Sequence, residues 1–291
     1  NGLAIEVEDE GRRDGDPLLL IMGVGMQLTG WPDGFVAELA RRGFRVIRFD
    51  NRDIGLSEGR DSAGVPNIAL ASMRYLLGLP VAAPYALADM AEDAAGVLDA
   101  LGIERAHVCA ASMGGMIAQH LAARHPERVK SLTLMMTTSG ARHLPKPSWA
   151  VQRAFLAKPR GGGDLEGIAG HFVRLFDIIG SPEFRVPPEE ARRRSLEFVK
   201  RSWHPAGGAR QMLAILADGD RSEMLKTIHV PTHVIHGAVD PLIPVAAGRD
   251  VAARIPGATL DIIEGLGHDL PQQMWPRFAD GIVTVAARAP A

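Results

Sequence analysis

A single cysteine, Cys109, stands in the 291 residues, which excludes an internal disulfide framework. Within its apolar surroundings it reads as a small buried hydrophobe. Aromatic side chains are few, at 5%, so the 46% apolar content must build its core from aliphatic residues and methionine. Charge of one sign is lacking as well. With 32 Lys+Arg against 34 Asp+Glu the formal net charge is -2, which gives no nucleic-acid or membrane footprint. No apolar run reaches the ~18 residues of a transmembrane helix. There is no internal repeat and no low-complexity tract. No signal peptide is recognisable at Asn1, and no initiator methionine begins the chain, which leaves room for a short missing leader. These absences set a cytoplasmic location as the expectation. Whether the protein is a monomer or a dimer is not legible.

What is present is an alternation of short apolar runs and longer helical segments. Leu18–Met22, Phe44–Phe49, Ala106–Ala110, Val129–Met136, Thr232–His236 and Thr259–Ile263 read as buried strands. Asp33–Arg42, Leu87–Leu101, Met113–His125, Val245–Arg254 and Gln272–Ala287 read as helices, several stopped by glycine or proline. The pattern predicts an α/β fold, a mostly parallel sheet with helices on both faces. The Leu3–Glu8 run adds an antiparallel strand at one edge.

The alternation breaks between Gly140 and Ile228. That stretch is rich in arginine, proline and helix formers, with short helices expected at Ser148–Leu156, Leu165–Ile178, Pro188–Arg201 and Ala209–Leu216. It reads as a helical cap, residues 140–228, inserted into a core domain made of 1–139 and 229–291. Its slight excess of basic residues reads as solvated helix faces before it reads as substrate recognition. Gly161-Gly162-Gly163 is a flexible joint and not a phosphate loop, since no strand precedes it and no Gly-Lys-Ser/Thr follows.

Chemistry enters at Ala110-Ala111-Ser112-Met113-Gly114-Gly115, between a strand and a helix. A serine presented on a sharp strand-to-helix turn needs small residues two before and two after it, here Ala110 and Gly114. A serine hydroxyl also needs a base in hydrogen-bond reach and an acid to orient that base. Asp240 and His268 follow in the order this arrangement requires, 128 and then 28 residues on, each just past a strand. Glycines at 265 and 267 free the histidine loop. His236, on a buried strand, reads as a core residue. Asp269 competes with Asp240, but an adjacent residue is badly placed to stand behind the His268 ring.

Stabilising a developing alkoxide takes two backbone N–H donors. Met113, after the serine at a helix N-terminus, offers one; Val24, between Gly23 and Gly25 in the loop after the first long strand, offers the other. Gly23-Val24-Gly25 is not a dinucleotide fingerprint, because the third glycine and the ribose-binding acid are missing. Asp50-Asn51-Arg52-Asp53 is densely polar and reads either as substrate-binding or, preferably, as ties between loops. Met26, Trp31, Met113, Phe172, Phe176 and Trp203 are candidates for an apolar pocket, each also readable as plain core.

Together the Met22–Gln27 loop, residues 46–53, His107–Gln119, Pro231–Pro244 and Gly265–Pro271 resemble the α/β-hydrolase superfamily over essentially the whole chain. The resemblance implies an eight-stranded sheet, a lid inserted after the sixth strand, no cofactor, and mostly carboxylic ester substrates. Gly30-Trp31-Pro32-Asp33 and the methionine-glycine oxyanion loop are similar to the aclacinomycin methylesterase subgroup, whose members remove a carbomethoxy group from a polyketide. Carried over, Ser112 is nucleophile, Asp240 acid, His268 base, and Val24 and Met113 oxyanion donors. Met135–Ser139, where some members place the acid, holds no carboxylate. Ala110 departs from the usual glycine. The expected activity is a serine esterase acting on a small-molecule ester. C–C bond hydrolysis, lactone opening and perhydrolysis remain open with the same residues, as does a ligand-binding receptor on this fold.

Overall fold

The computed structural model describes residues 2–157 and 164–290; the Gly161-Gly162-Gly163 run lies outside them. In chain order the elements are β1 (Val7–Glu10), β2 (Asp16–Ile21), α1 (Asp33–Arg41), β3 (Phe44–Phe49), α2 (Ile68–Leu76), α3 (Leu87–Ala100), β4 (Ala106–Ala111), α4 (Met113–Arg124) and β5 (Val129–Met135). Five helices follow: α5 (Trp149–Leu156), α6 (Leu165–Ile179), α7 (Pro188–Arg201), α8 (Pro205–Asp218) and α9 (Ser222–Leu225). β6 (Thr232–Gly237), α10 (Val245–Arg254), β7 (Thr259–Ile263) and α11 (Trp275–Ala286) complete the fold.

The strands form one sheet in the order β1-β3-β2-β4-β5-β6-β7. Only β1 runs antiparallel, with Val7 opposite Phe49; every other pairing is parallel. β4 at the centre is buried along its full length, as a strand covered on both faces must be. Alternate residues feed two cores. Val108 and Ala110 join the helices α3, α4 and α10 on one face, and Cys109 and Ala111 join α1 and α11 on the other. Side-chain caps start the helices where the sequence allows: Asp164 Oδ1 accepts the Gly167 N–H at 2.7 Å at the head of α6.

Two expectations need correction. Among the described residues the sheet has seven strands, not eight. The edge strand begins at Val7 because the preceding residues pair with a loop: Asp50 N–H donates to Glu6 O (3.1 Å) and Glu58 N–H to Ala4 O (2.8 Å). α2 was not foreseen at all.

Since β2 to β7 are parallel, their carboxyl ends share one edge, where ligands bind in open sheets of this kind. The Met22–Gln27 loop, Asp50–Ser57, Ser112, Met136, Asp240 and His268 all follow strand ends at that edge. The helices α5 to α9 occupy the connection between β5 and β6.

Candidate active site

Ser112 turns the chain from β4 into α4 with φ 57° and ψ -122°. A non-glycine residue there costs on the order of 1–3 kcal/mol and persists only where its surroundings fix it. Here they do. Ser112 N–H donates to Met135 O (3.0 Å), and Ser112 O accepts from Thr137 Oγ1 (2.7 Å). The glycines after it are set by packing: a Cβ on Gly114 would lie 2.1 Å from Ile21 O, and one on Gly115 2.6 Å from Thr137 Cβ. Ala110 needs no such economy. It is inside β4, opposite Ile21 and Leu134, and its methyl belongs to the core with Met113 and Ile117. The small residue two before the serine therefore answers to sheet packing, which alanine satisfies.

His268 Nδ1 faces Asp240 Oδ2 at 2.7 Å, both groups buried. The other carboxylate oxygen, Oδ1, accepts the N–H groups of Leu242 (2.9 Å) and Ile243 (2.8 Å). The histidine loop is fixed from outside: His268 N–H donates to Ile179 O at the end of α6 (2.7 Å), and Gly267 N–H to Ser181 Oγ (2.9 Å). Asp269 is turned away from the imidazole and accepts from the Ser181 N–H and hydroxyl. Burial holds its carboxyl above the usual carboxylate range despite those bonds. His236 is fully buried behind Asp240, donates from Nε2 to Ile243 O (2.8 Å), and is kept neutral by burial.

The loop after β2 passes directly over the serine. A Cβ on Gly23 would lie 3.1 Å from Ser112 Cβ and 3.5 Å from its Oγ. The next N–H, that of Val24, meets no acceptor among the described residues, while Gly25 N–H donates to Gln211 Oε1 (2.8 Å). Met113, first in α4, has an N–H with no intrahelical acceptor.

Ser112, His268, Gly23 and Val24 line one cavity of about 1560 Å³, roofed by α5 to α8. Among the described residues no hydrogen bond joins Ser112 Oγ to His268. Met26, Phe172, Phe176 and Trp203 line the cavity. Phe172 is the hub of the roof, with Phe198 at 4.8 Å and Trp203 at 5.5 Å edge-on and Phe176 stacked at 6.1 Å. Trp31 does not line it. It is fully buried, stacks on Phe35 at 6.1 Å, and belongs to the core between β2 and α11. The Met113 side chain is likewise core. Sequence reasoning missed Met116, Met136, His171 and Phe198 in the lining. Met116 sits four residues past the serine, one helical turn on, a spacing that pointed to it; the others carried no local signal.

The polar run at 50–53 is spent on structure. Asp50 accepts Leu28 N–H (2.6 Å), Leu56 N–H (2.9 Å) and Arg201 Nη1 (2.7 Å). Arg52 pairs with Asp93. Asp53 receives Arg210 through both nitrogens (2.7 and 2.9 Å) and the Tyr85 hydroxyl (2.7 Å).

The model of the alpha/beta hydrolase fold family matches residues 16–271. The chain belongs to that family. As a hydrolase it is similar to the rhodomycin D methylesterase DauP of Streptomyces sp. (strain C5), 30% identical over 275 residues, 88% of this chain and 85% of that one. It is 28% identical over 297 residues to the 2-hydroxymuconate semialdehyde hydrolase of Pseudomonas putida, covering 100% of this chain and 93% of the other. In three dimensions it superposes on the enol-lactonase from Burkholderia xenovorans LB400 with a TM-score of 0.75, 24% identity, and coverage of 99% and 98%. The methylesterase resemblance read from the Gly30–Asp33 and oxyanion-loop residues agrees with the first of these relatives.

Proposed function

We propose that this hydrolase cleaves carboxylic esters through an acyl-enzyme on Ser112, with His268 as base, Asp240 as the acid that orients it, and the Val24 and Met113 N–H groups as oxyanion donors. The observation that carries the reading is the convergence at one cavity wall. A serine in a strained, over-determined turn, a histidine whose Nδ1 is held by a buried carboxylate at 2.7 Å, and a glycine loop packed so closely that a Cβ on Gly23 would lie 3.5 Å from the serine oxygen share that wall.

Asp240 fixes the tautomer: with Nδ1–H directed at Oδ2, the Nε2 lone pair is left for the serine proton. Ser112 Oγ attacks the ester carbonyl as His268 takes its proton, and the carbonyl oxygen moves toward the two N–H donors. The imidazolium then protonates the departing alkoxide. Water, activated by the same imidazole, attacks the acyl-enzyme and releases the acid, returning the proton to Ser112. Residues 140–228 act as a cap, a unit distinct from the core 1–139 and 229–291, and exclude bulk water from these steps.

The test is hydrolysis of p-nitrophenyl esters of increasing acyl length by wild type and Ser112→Ala. The variant should lose turnover by several orders of magnitude. Equal turnover by both proteins refutes the assignment.

Cavity size favours one finer reading. About 1560 Å³ exceeds the ~300–1,000 Å³ of common small-molecule sites. A methyl ester borne on a bulky polycyclic acid fits this space and the aromatic roof better than a short acyl chain does. Methyl esters of a polycyclic and of a short aliphatic acid, compared at equal concentration, decide it; preference for the short one overturns the reading. A cyclic lactone and a vinylogous diketone offered in the same assay separate the lactonase and C–C hydrolase alternatives.

A further inference from the structure

α2 is apolar almost all round. Across Ile68–Leu77 the only charged side chain is Arg74. A helix of that composition is ordinarily buried. Here only Ala71 is buried, while Leu70, Met73, Leu76 and Leu77 are 48%, 53%, 64% and 67% exposed. Trp149, at the start of α5, is 79% exposed. The two segments adjoin each other: the Arg142 guanidinium lies over the Tyr75 ring at 5.8 Å. Both also border the cavity, through Ile68, Tyr75 and Leu76 on one side and Lys146 and Val151 on the other. Exposed apolar side chains gathered on neighbouring segments in this way mark an interaction site.

Charge identifies the occupant. Residues 62–88 and 140–157 contain no Asp or Glu, yet hold Arg74, Arg142, Lys146 and Arg153, all exposed. Of the acids on the cavity wall, Asp177, Glu190 and Glu197 sit on α6 and α7 and are paired with Arg185, Arg193 and Arg194, Asp33 is paired with Arg48, and Asp269 is held by Ser181. A second copy docking through this face about a two-fold axis would set these cations against themselves. An apolar surface ringed by cations instead matches the boundary of an anionic bilayer, where apolar side chains enter the acyl region and Lys and Arg meet lipid phosphates. Among the described residues no helix is long and apolar enough to cross a membrane, so the contact is peripheral.

We infer that α2 and the residues leading into α5 dock the protein on anionic lipid surfaces, with the mouth of the cavity facing the lipid. The inference does not rest on the chemistry assigned to Ser112, and binding tests it directly. Wild type should co-sediment with vesicles of phosphatidylcholine and phosphatidylglycerol in equal parts at low salt, less so at high salt, and little with phosphatidylcholine alone. Leu77→Glu/Trp149→Glu, whose residues do not line the cavity, should stay in the supernatant while hydrolysing p-nitrophenyl acetate at the wild-type rate. Arg74→Glu/Arg153→Glu provides a variant that leaves the apolar residues intact. At about fivefold in affinity per basic residue, loss of two cations should weaken vesicle binding at least about 25-fold. Wild type left in the supernatant at low salt overturns the inference. So does a variant that sediments like wild type, equal binding to phosphatidylcholine alone, or a dimer in light scattering that the Glu variants dissolve without any vesicle binding.

Discussion

Asp240→Asn changes one heavy atom and tests the proposed machinery most sharply. Asp240 Oδ1 accepts two backbone N–H groups, from Leu242 at 2.9 Å and Ile243 at 2.8 Å, while Oδ2 meets His268 Nδ1 at 2.7 Å. An asparagine has one oxygen and one NH2 for these two places. The oxygen must remain with the two backbone donors, since an NH2 there would oppose both. The NH2 then faces His268 Nδ1, which has to become an acceptor, so the ring proton moves to Nε2. A neutral imidazole protonated at Nε2 cannot take the serine proton. In serine proteases the same exchange lowers kcat about 10⁴-fold with the geometry intact, or roughly 5.4 kcal/mol at 1.36 kcal/mol per tenfold. The same loss is expected here, with KM little changed and thermal stability nearly that of wild type, because both backbone bonds survive. Steady-state kinetics on p-nitrophenyl butyrate, beside a thermal melt, give the answer. A variant that keeps kcat within about tenfold of wild type shows that Asp240 does not set the His268 tautomer.

Gly23→Ala places a methyl 3.1 Å from Ser112 Cβ, so the loop bearing the Val24 N–H must recede. Loss of one oxyanion donor predicts a fall in kcat of about 10²-fold, with KM and the melting temperature close to wild type; an unchanged kcat removes Val24 from the oxyanion role. Arg210→Met strips the paired cation from Asp53, a fully buried carboxylate, and should cost about 3–5 kcal/mol in urea denaturation. The pH dependence of stability should change with it. Burial opposes ionisation of Asp53, but the hydrogen bonds from Arg210, the Arg60 N–H and Tyr85 outweigh it and hold the carboxyl below its ordinary range. The unfolded chain therefore binds the proton more readily. That stabilisation is complete above the unfolded carboxyl pKa of about 4 and is lost as pH falls below it. The urea midpoint of wild type should drop between pH 5 and pH 3 (roughly the window of carboxylate titration), and the drop should be smaller in Arg210→Met; parallel profiles contradict the pairing argument.

The order of strands and helices was legible because central parallel strands are buried on both faces and show as short apolar runs between glycine and proline stops. Ser112, Asp240 and His268 stood out for a related reason: tight turns at strand ends demand small neighbours, and those neighbours are visible in the sequence. Trp31 stood as a pocket candidate beside its reading as plain core because apolar lining and apolar core have the same composition, and its stacking on Phe35 inside the sheet-helix layer separates them in favour of core. α2 escaped notice in the sequence; what sets it apart is exposure, which a sequence does not state. The near-zero net charge concealed the local pattern as well, since the basic residues of 62–88 and 140–157 are balanced elsewhere. Asp269 looked like a rival acid, and its partner Ser181 lies 88 residues away, beyond any local signal.

The bonds between the helical insertion and the core tie some of the surrounding helices to the proposed catalytic groups and leave others untied. Gln27 Nε2 donates to Phe198 O and Ser202 O, both at 2.8 Å, and Gln211 links Gly25 N–H to Arg52 O (2.9 Å). Through these, α7 and α8 hold the loop that carries Val24. The end of α6 holds the His268 backbone through Ile179 O and Ser181. Among the described residues, the side-chain hydrogen bonds of α2 and α5 run only to near neighbours in sequence: Asn67, Pro80, Pro147 and Ser148. Substitutions in α6 to α8 that break the ties should therefore lower kcat, because they loosen the proposed catalytic groups, while substitutions of the cavity-lining residues Tyr75 and Leu76 in α2 and Val151 in α5 should act on substrate entry and KM. The side of the cavity free of such ties is the same side that exposes Leu70, Met73, Leu77 and Trp149. Entry from an apolar phase, and not from bulk water, is what that coincidence favours.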